Sequence, residues 1–398
     1  MGHEQSKSQP NRVAYASMHD SFSYAPVTTY RTEATYSARF QGDNFNTGGA
    51  NLTDQPVSLL NTAYYGKWSM ELSHGISPVP RIGQCCVHDP VTDSLVIAYG
   101  LDSDGNFLDD CWALHLATLQ WRRIREHCLS PREYPSAVLL GRKMVVFGGA
   151  CGSTFFSDLH FIDLDTGEIN IVSSHGRQPV PRTSPAMFSF NDHIYLWAGF
   201  DGRAHGGIYR ISPNNQHWHR FDVSHTGVPA PAYCVHKGVC YVFGGVTGTP
   251  ISTFDPQTGQ FTPVTCTGTE PTHELTHASL VSADEYIFLI GGESTVKFMH
   301  IYALDVKRKW WFAFHVRPDN QSLSLADGII NKVGLFMLPR EHSCSVAYSS
   351  RERALVSVMG SRMVNPAPVF RISLGLPLAA LHLRNDMLDL FTYDHGQK

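Results

Sequence analysis

Pro80-Arg81, Pro131-Arg132, Pro181-Arg182 and Pro339-Arg340 set the same dipeptide at intervals along a 398-residue chain. Guanidiniums brought to one place bind a carboxylate or a phosphorylated ligand through bidentate hydrogen bonds. The alternative is that each arginine bonds to backbone carbonyls nearby, as part of a repeated architecture. His273-Glu274-Leu275-Thr276-His277 spells H-E-x-x-H, which on a helix turns both histidines toward one zinc ion. On a strand, residues four apart stand about 13 Å from one another, too far for a shared metal. His217-Trp218-His219 has no nearby Cys or His to complete a tetrahedral set, so both are expected at the surface. The nine cysteines are odd in number, scattered and without a C-x-x-C, which predicts reduced thiols and no disulfide framework. There is no G-x-S-x-G, no phosphate-cradling glycine loop with a lysine, and no paired carboxylate motif. A non-catalytic protein without metal or cofactor is expected.

Charge narrows the partners. With 31 basic and 35 acidic residues the net charge is −4, which offers no basic field for a nucleic-acid backbone. No apolar run approaches the ~20 residues of a membrane span. The first ten residues, MGHEQSKSQP, lack the apolar core of a secretory signal, so a cytoplasmic location is expected. Met1-Gly2-x-x-x-Ser6 matches the N-myristoylation pattern, with Gly2 as the acceptor. A single myristoyl chain gives only weak, reversible membrane contact.

The elements that position these residues recur. A β-branched or aromatic run ends in glycine at Gly100, Gly149, Gly199, Gly245, Gly292 and Gly360, in steps of 49, 50, 46, 47 and 68 residues. The proline elements lie upstream of these glycines. An alternating strand lies downstream, as in LHFIDL at 159–164 and GIYRIS at 207–212. A turn and an aromatic follow: Trp121, Trp218, Phe261 and Trp311, with Ile169 or Ile171 in the second unit. The turn segments Asp165-Thr166-Gly167 and Pro256-Gln257-Thr258-Gly259 carry residues suited to chain reversal. Each unit therefore reads as four short strands. Low charge with abundant glycine, 33 residues, agrees with an all-β protein.

A period near 50 with this pattern resembles the kelch-repeat family, whose units are the blades of a β-propeller. The resemblance covers roughly residues 57–374. The sixth unit, from Pro339 through PVFRIS at 368–373, lacks a fourth-strand aromatic, and YYGKWSMEL at 64–72 has Trp68 without a glycine strand before it. Together they complete one blade, which predicts a six-bladed propeller over 56–374 closed by an N-terminal strand. First strands line a propeller's axis, so the four arginines are expected at one channel mouth, as partner-binding residues.

Outside the propeller, residues 1–55 read as a disordered polar tail. Residues 315–338 read as a long loop between blades five and six. Residues 375–398 follow helical spacing and predict a short C-terminal helix. The resemblance implies a monomeric interaction scaffold whose partners are other proteins. Some kelch propellers are substrate receptors of cullin-RING ubiquitin ligases that read acidic C-terminal ends. These carry a Leu-x-x-Leu-Cys box that docks an elongin adaptor. Leu378, Leu381 and His382 are similar to that box, with His382 in place of the cysteine. A third alternative is a propeller enzyme, like the family's secreted copper oxidases and bacterial sialic-acid epimerases.

Overall fold

Six four-stranded antiparallel blades follow one another in a computed structural model that describes residues 65–331 and 336–374. Every described residue belongs to one compact unit, within 46–398. Numbered in chain order, the blades begin with the inner strands Cys85–Asp89, Ser136–Leu140, Ala186–Phe190, Ala232–His236, Thr276–Ala283 and Ser345–Ser349. The second strands are the most buried. All eight residues of Ser94–Leu101 are buried, because neighbouring blades cover both faces of that strand. The outer strand Gln120–Arg125 alternates instead, with Trp121 buried and Arg122 and Arg123 exposed.

Each hydrophobic cluster belongs to two adjacent blades. Trp121 packs with Val356 and Val369 between blades six and one, and Trp218 with Val145 and Phe147 between blades two and three. Trp311 joins Phe243 and Ile251 between blades four and five. The recurring outer-strand aromatic thus fills the seam where two sheets meet, as its spacing predicts.

Closure is by the N-terminal strand. Tyr65–Glu71 pairs antiparallel with Val369–Ser373, placing Trp68 opposite Ile372, and completes blade six. The same strand pairs parallel with Trp310–Pro318 of blade five, so the last two blades share one sheet. Six backbone hydrogen bonds complete the ring, each from the strand-ending glycine of one blade to the next blade. The glycines 100, 149, 199, 245, 292 and 360 donate to the carbonyls of Arg132, Arg182, Val228, Leu275, Glu341 and Arg81.

These bonds correct two expectations. Glu341, not Arg340, occupies the position held by Arg81, Arg132 and Arg182, so Arg340 is out of register with the other three. Residues 315–338 are not a plain loop. The strand of blade five runs on to Pro318, and a short 3-10 turn at Leu325–Asp327 follows. Phe336–Pro339 then joins Ile329–Ile330 and Phe298–Met299 in a small sheet. Leu323, Phe336 and Leu338 from this stretch pack into the cluster around Trp68. Apolar residues spaced through the segment tie it to the core between blades five and six.

At Tyr99-Gly100, Ala198-Gly199 and Met359-Gly360 the first glycine of the usual pair is replaced. Tyr99, Ala198 and Met359 nonetheless adopt φ of 64°, 67° and 60°, close to the 74° of Gly148. The second glycine is retained in all six blades, where φ lies between 81° and 117°, and a Cβ at Gly149 would lie 3.0 Å from the Glu133 carbonyl. The tail at 1–55, Gly2, and the C-terminal segment with Leu378, Leu381 and His382 lie outside the described residues.

Candidate functional site

One residue per blade turns the chain into each inner strand with a left-handed backbone: Gly83, Tyr134, Ser184, Ala230, His277 and Ser343, with φ between 46° and 64°. They form a ring at the axis. The Ser184 amide donates to the Tyr134 carbonyl at 2.8 Å, and the Ser343 amide to the His277 carbonyl at 3.0 Å. Five of the six are not glycine, although this conformation costs other residues of order 1–2 kcal/mol. Within the ring lies a funnel of about 160 Å³ whose lining comes from all six blades.

Its mouth carries polar chemistry. The Tyr134 ring of blade two lies 4.8 Å from the imidazole of His277 in blade five, across the axis, and His342 of blade six stands 6.5 Å from His277. His277 is 3.7 Å from Glu293 and holds that carboxyl below its ordinary range. Burial, then the neighbouring His277, holds His342 down as well, so its neutral form is favoured. Gln84 crosses from blade one to donate to the Ser343 carbonyl at 2.8 Å and the Ser345 hydroxyl at 3.0 Å. Burial pushes the thiols of Cys85, Cys86 and Cys344 on the funnel wall up, so they are not thiolates at neutral pH.

The arginines sit elsewhere. Arg81, Arg132 and Arg182 are at most 2% exposed, lie inside their blades and are not part of the funnel lining. Each donates to two backbone carbonyls. Arg132 reaches Ser130 at 2.9 Å and Gly148 at 3.0 Å, and Arg182 reaches Val180 and Ala198, both at 3.0 Å. Arg81 also forms an ion pair with Asp110, and Arg132 one with Asp158 at 2.8 Å. Arg340 donates to the Gly292 carbonyl at 3.3 Å, while Glu341 pairs with Arg362 at 3.1 Å.

Sequence patterns gave no sign of a buried relay between blades one and two. The Tyr99 phenol is 2.7 Å from His160 Nε2, whose Nδ1 is 3.0 Å from Asp158. That order imitates a nucleophile, base and orienting acid. Tyr99 is fully buried and burial raises its pKa, so the relay serves to satisfy polar groups between the two blades. The H-E-x-x-H segment falls outside any helix. His273 pairs with Glu270 and His277 with Glu293, and among the described residues no His, Cys, Asp and Glu cluster is arranged to hold a metal. His217 and His219 are exposed on either side of the buried Trp218.

Residues 38–245, just over half of the chain, match the family model described as the KLHDC2/KLHL20/DRC7 Kelch-repeats domain. The chain belongs to this kelch-repeat family. It is 33% identical over 140 residues to acyl-CoA-binding domain-containing protein 4 of Arabidopsis thaliana, covering 34% of this chain and 21% of that protein. It is 26% identical over 244 residues to the leucine-zipper-like transcriptional regulator 1 homolog of Drosophila melanogaster, covering 53% and 24%. Over 124 residues it is 33% identical to kelch domain-containing protein 2 of Bos taurus, covering 29% and 30%. The chain thus spans less than a third of each of these relatives. A kelch propeller is a protein-interaction domain, and the fold assigns this chain to that coarse class.

Proposed function

We propose that this propeller is a non-catalytic scaffold or adaptor that engages a protein partner through the loop-bearing face around the funnel mouth. One observation carries the reading. Val246, Val296 and Val364, on the loops after the second strands of blades four, five and six, are 61%, 53% and 53% exposed. Blades four, five and six therefore each expose an apolar residue on the loop that follows the second strand. Exposed apolar residues on the loops of neighbouring blades suit a protein interface better than open solvent. Conversion of the three valines together to aspartate tests it by co-purification and mass spectrometry from intact cells. Loss of partners with an unchanged melting temperature supports the face, and an unaltered partner set refutes it.

Two finer proposals rest on sequence alone. Acylation of Gly2 would bring the scaffold reversibly to a membrane surface, and Gly2→Ala that leaves the membrane-bound fraction unchanged refutes it. Docking of an elongin adaptor at Leu378, Leu381 and His382 would make the chain a ligase substrate receptor. Elongin and cullin subunits should then co-purify with the wild-type chain and vanish with Leu378→Ala/Leu381→Ala.

A further inference from the structure

The six blades can be compared at one pair of positions: the residue two before the left-handed one, and the residue two before a fixed register point on the third strand. Blades one and two hold Arg81 with Asp110 and Arg132 with Asp158. Trp112, His160 and Tyr209 sit opposite Ile97, Val146 and Leu196 across their sheets, which fixes the register of the third strands. The same register gives Val228 with Pro250 in blade four, Leu275 with His300 in blade five and Glu341 with Pro368 in blade six. Basic residue and carboxylate are present together or absent together, with one exception. In blade three Arg182 remains and the carboxylate position is Gly207.

Arg182 is 1% exposed, and no carboxylate pairs with it among the described residues. Tyr209 and, from a distance, Asp201 are the groups that favour its charge. Burial, which favours the uncharged form, is incompletely offset. Cationic groups gather around the vacant place. Arg220 lies with Arg182 on the ring of Tyr209, their guanidinium carbons 5.8 Å and 5.5 Å from its centroid. A Cβ built on Gly207 would have Arg220 Nε and the Tyr209 hydroxyl each at 3.4 Å. Arg203, on the adjoining loop, is 76% exposed. Between Phe200 and Phe221 the sequence has three arginines and a single acidic residue, Asp201. That aspartate is already taken by His205 at 2.8 Å and Arg203 at 3.8 Å.

We propose that blade three takes this carboxylate in trans: an acidic side chain of a protein partner binds at Gly207, between Arg220 and the Tyr209 hydroxyl, over the buried charge of Arg182. The position is reachable, since Asp110 and Asp158 at the equivalent places are 21% and 26% exposed. Arg220 and Tyr209 contact the ligand, Arg203 guides it, and Arg182 strengthens the site from beneath through the low-dielectric interior. The inference rests on the interaction-module reading and names the chemistry of the partner.

The test uses the full chain and two dye-labelled peptides, Glu-Ser repeats and Gln-Ser repeats, in fluorescence anisotropy at about 50 mM salt. The glutamate peptide should bind about ten-fold or more tighter than the glutamine peptide, as expected for charge-assisted bonds. Gly207→Asp restores the missing carboxylate. It should raise the melting temperature and weaken the glutamate peptide about ten-fold, as should Arg220→Ala without the thermal gain. Equal affinity for both peptides overturns the proposal, as does binding that survives both substitutions. A phosphoserine peptide that binds where the glutamate peptide does not overturns the assignment to a carboxylate. Cellular partners retained by a chain that ignores the glutamate peptide would sink this inference and leave the scaffold reading intact.

Discussion

Replacing Arg132 by leucine, the residue that blade five carries at the same place, separates a structural arginine from a ligand-binding one. The substitution removes bonds to the carbonyls of Ser130 and Gly148 and the ion pair to Asp158 at 2.8 Å. Two bonds to carbonyls and one to a carboxylate, all donated by a cation, are worth about 1.5 kcal/mol each at the lower end of the charged range, a loss near 4–5 kcal/mol. Breaking a buried pair by removing one partner costs about 3–5 kcal/mol, in the same range. Burial works against the charge of Asp158, yet bonds from His160 and Arg132 outweigh it and hold its carboxyl at about 2. Its stabilising contribution is therefore complete above the unfolded value of 3.8 and is lost as pH falls through about 2. With Arg132 gone, that loss should begin at higher pH. Asp158→Ala alone strands Arg132, whereas Arg132→Leu with Asp158→Ala strands neither. The double variant should be less destabilised than the sum of the singles by about 1–3 kcal/mol. Urea unfolding followed by tryptophan fluorescence and circular dichroism measures the cycle, provided both probes give one transition. Additive losses within about 0.5 kcal/mol would refute the pairing. Partner binding abolished by Arg132→Leu at unchanged stability would return the arginine to a recognition role.

Three further outcomes are expected. Trp68→Ala empties the seam beside Phe336 and Phe370, whose rings lie 6.0 Å and 5.9 Å away, and should cost about 3–5 kcal/mol in the same urea assay; a loss below 1 kcal/mol, about the worth of an ordinary surface change, would mean that the closing strand is dispensable. Burial raises the Glu133 carboxyl from 4.5 to about 7, so its contribution to stability is fully present below pH 4.5 and disappears as pH rises through 7. Glu133→Gln should raise the melting temperature at about pH 8 and leave it nearly unchanged at about pH 4.5, and equal shifts at both pH values contradict the burial argument. Gly149→Ala meets carbonyl and amide atoms at 3.0 and 3.1 Å, while Gly152→Ala meets open space at φ +59°. The first should destabilise by clearly more than the ~1 kcal/mol expected of the second, and thermal melts with similar losses would show that the blade seam tolerates a side chain.

The blades were readable because each is a local pattern: a β-branched strand, a glycine that admits no Cβ, an alternating strand and an aromatic for the seam. Closure by Trp68 was readable by elimination, since one unit lacked its outer strand and one outer strand lacked a unit. The register of Arg340 was not. A Pro-Arg pair imitated the motif one residue early, whereas the true frame is set by the left-handed residue at Ser343. That frame has no sequence signature, because Gly, Tyr, Ser, Ala, His and Ser fill the same place and the ring imposes the backbone on all of them. The meeting of Tyr134 with His277 joins blades on opposite sides of the axis, and no local pattern encodes it. Residues 315–338 misled for a different reason: strands of two to four residues are too short for alternation to show.

The strand that shuts the ring is also the first part of the propeller to be synthesised. Arg371 meets Glu71 across 300 residues of sequence, so the closing strand waits while every other blade emerges. At about 5–20 residues per second, that delay lasts of order 15–60 s. During it, Val369–Ser373 has yet to be made, and the outer edge of Trp310–Pro318 beyond Trp311 stays open until Tyr65–Glu71 docks on it. Such an edge recruits strands from any chain nearby. The nascent protein therefore passes through a ring open at a single gap, and the speed with which Tyr65–Glu71 finds that gap sets how much of it escapes aggregation or chaperone capture. Substitutions in this short segment should alter cellular abundance more than their effect on the finished propeller would suggest.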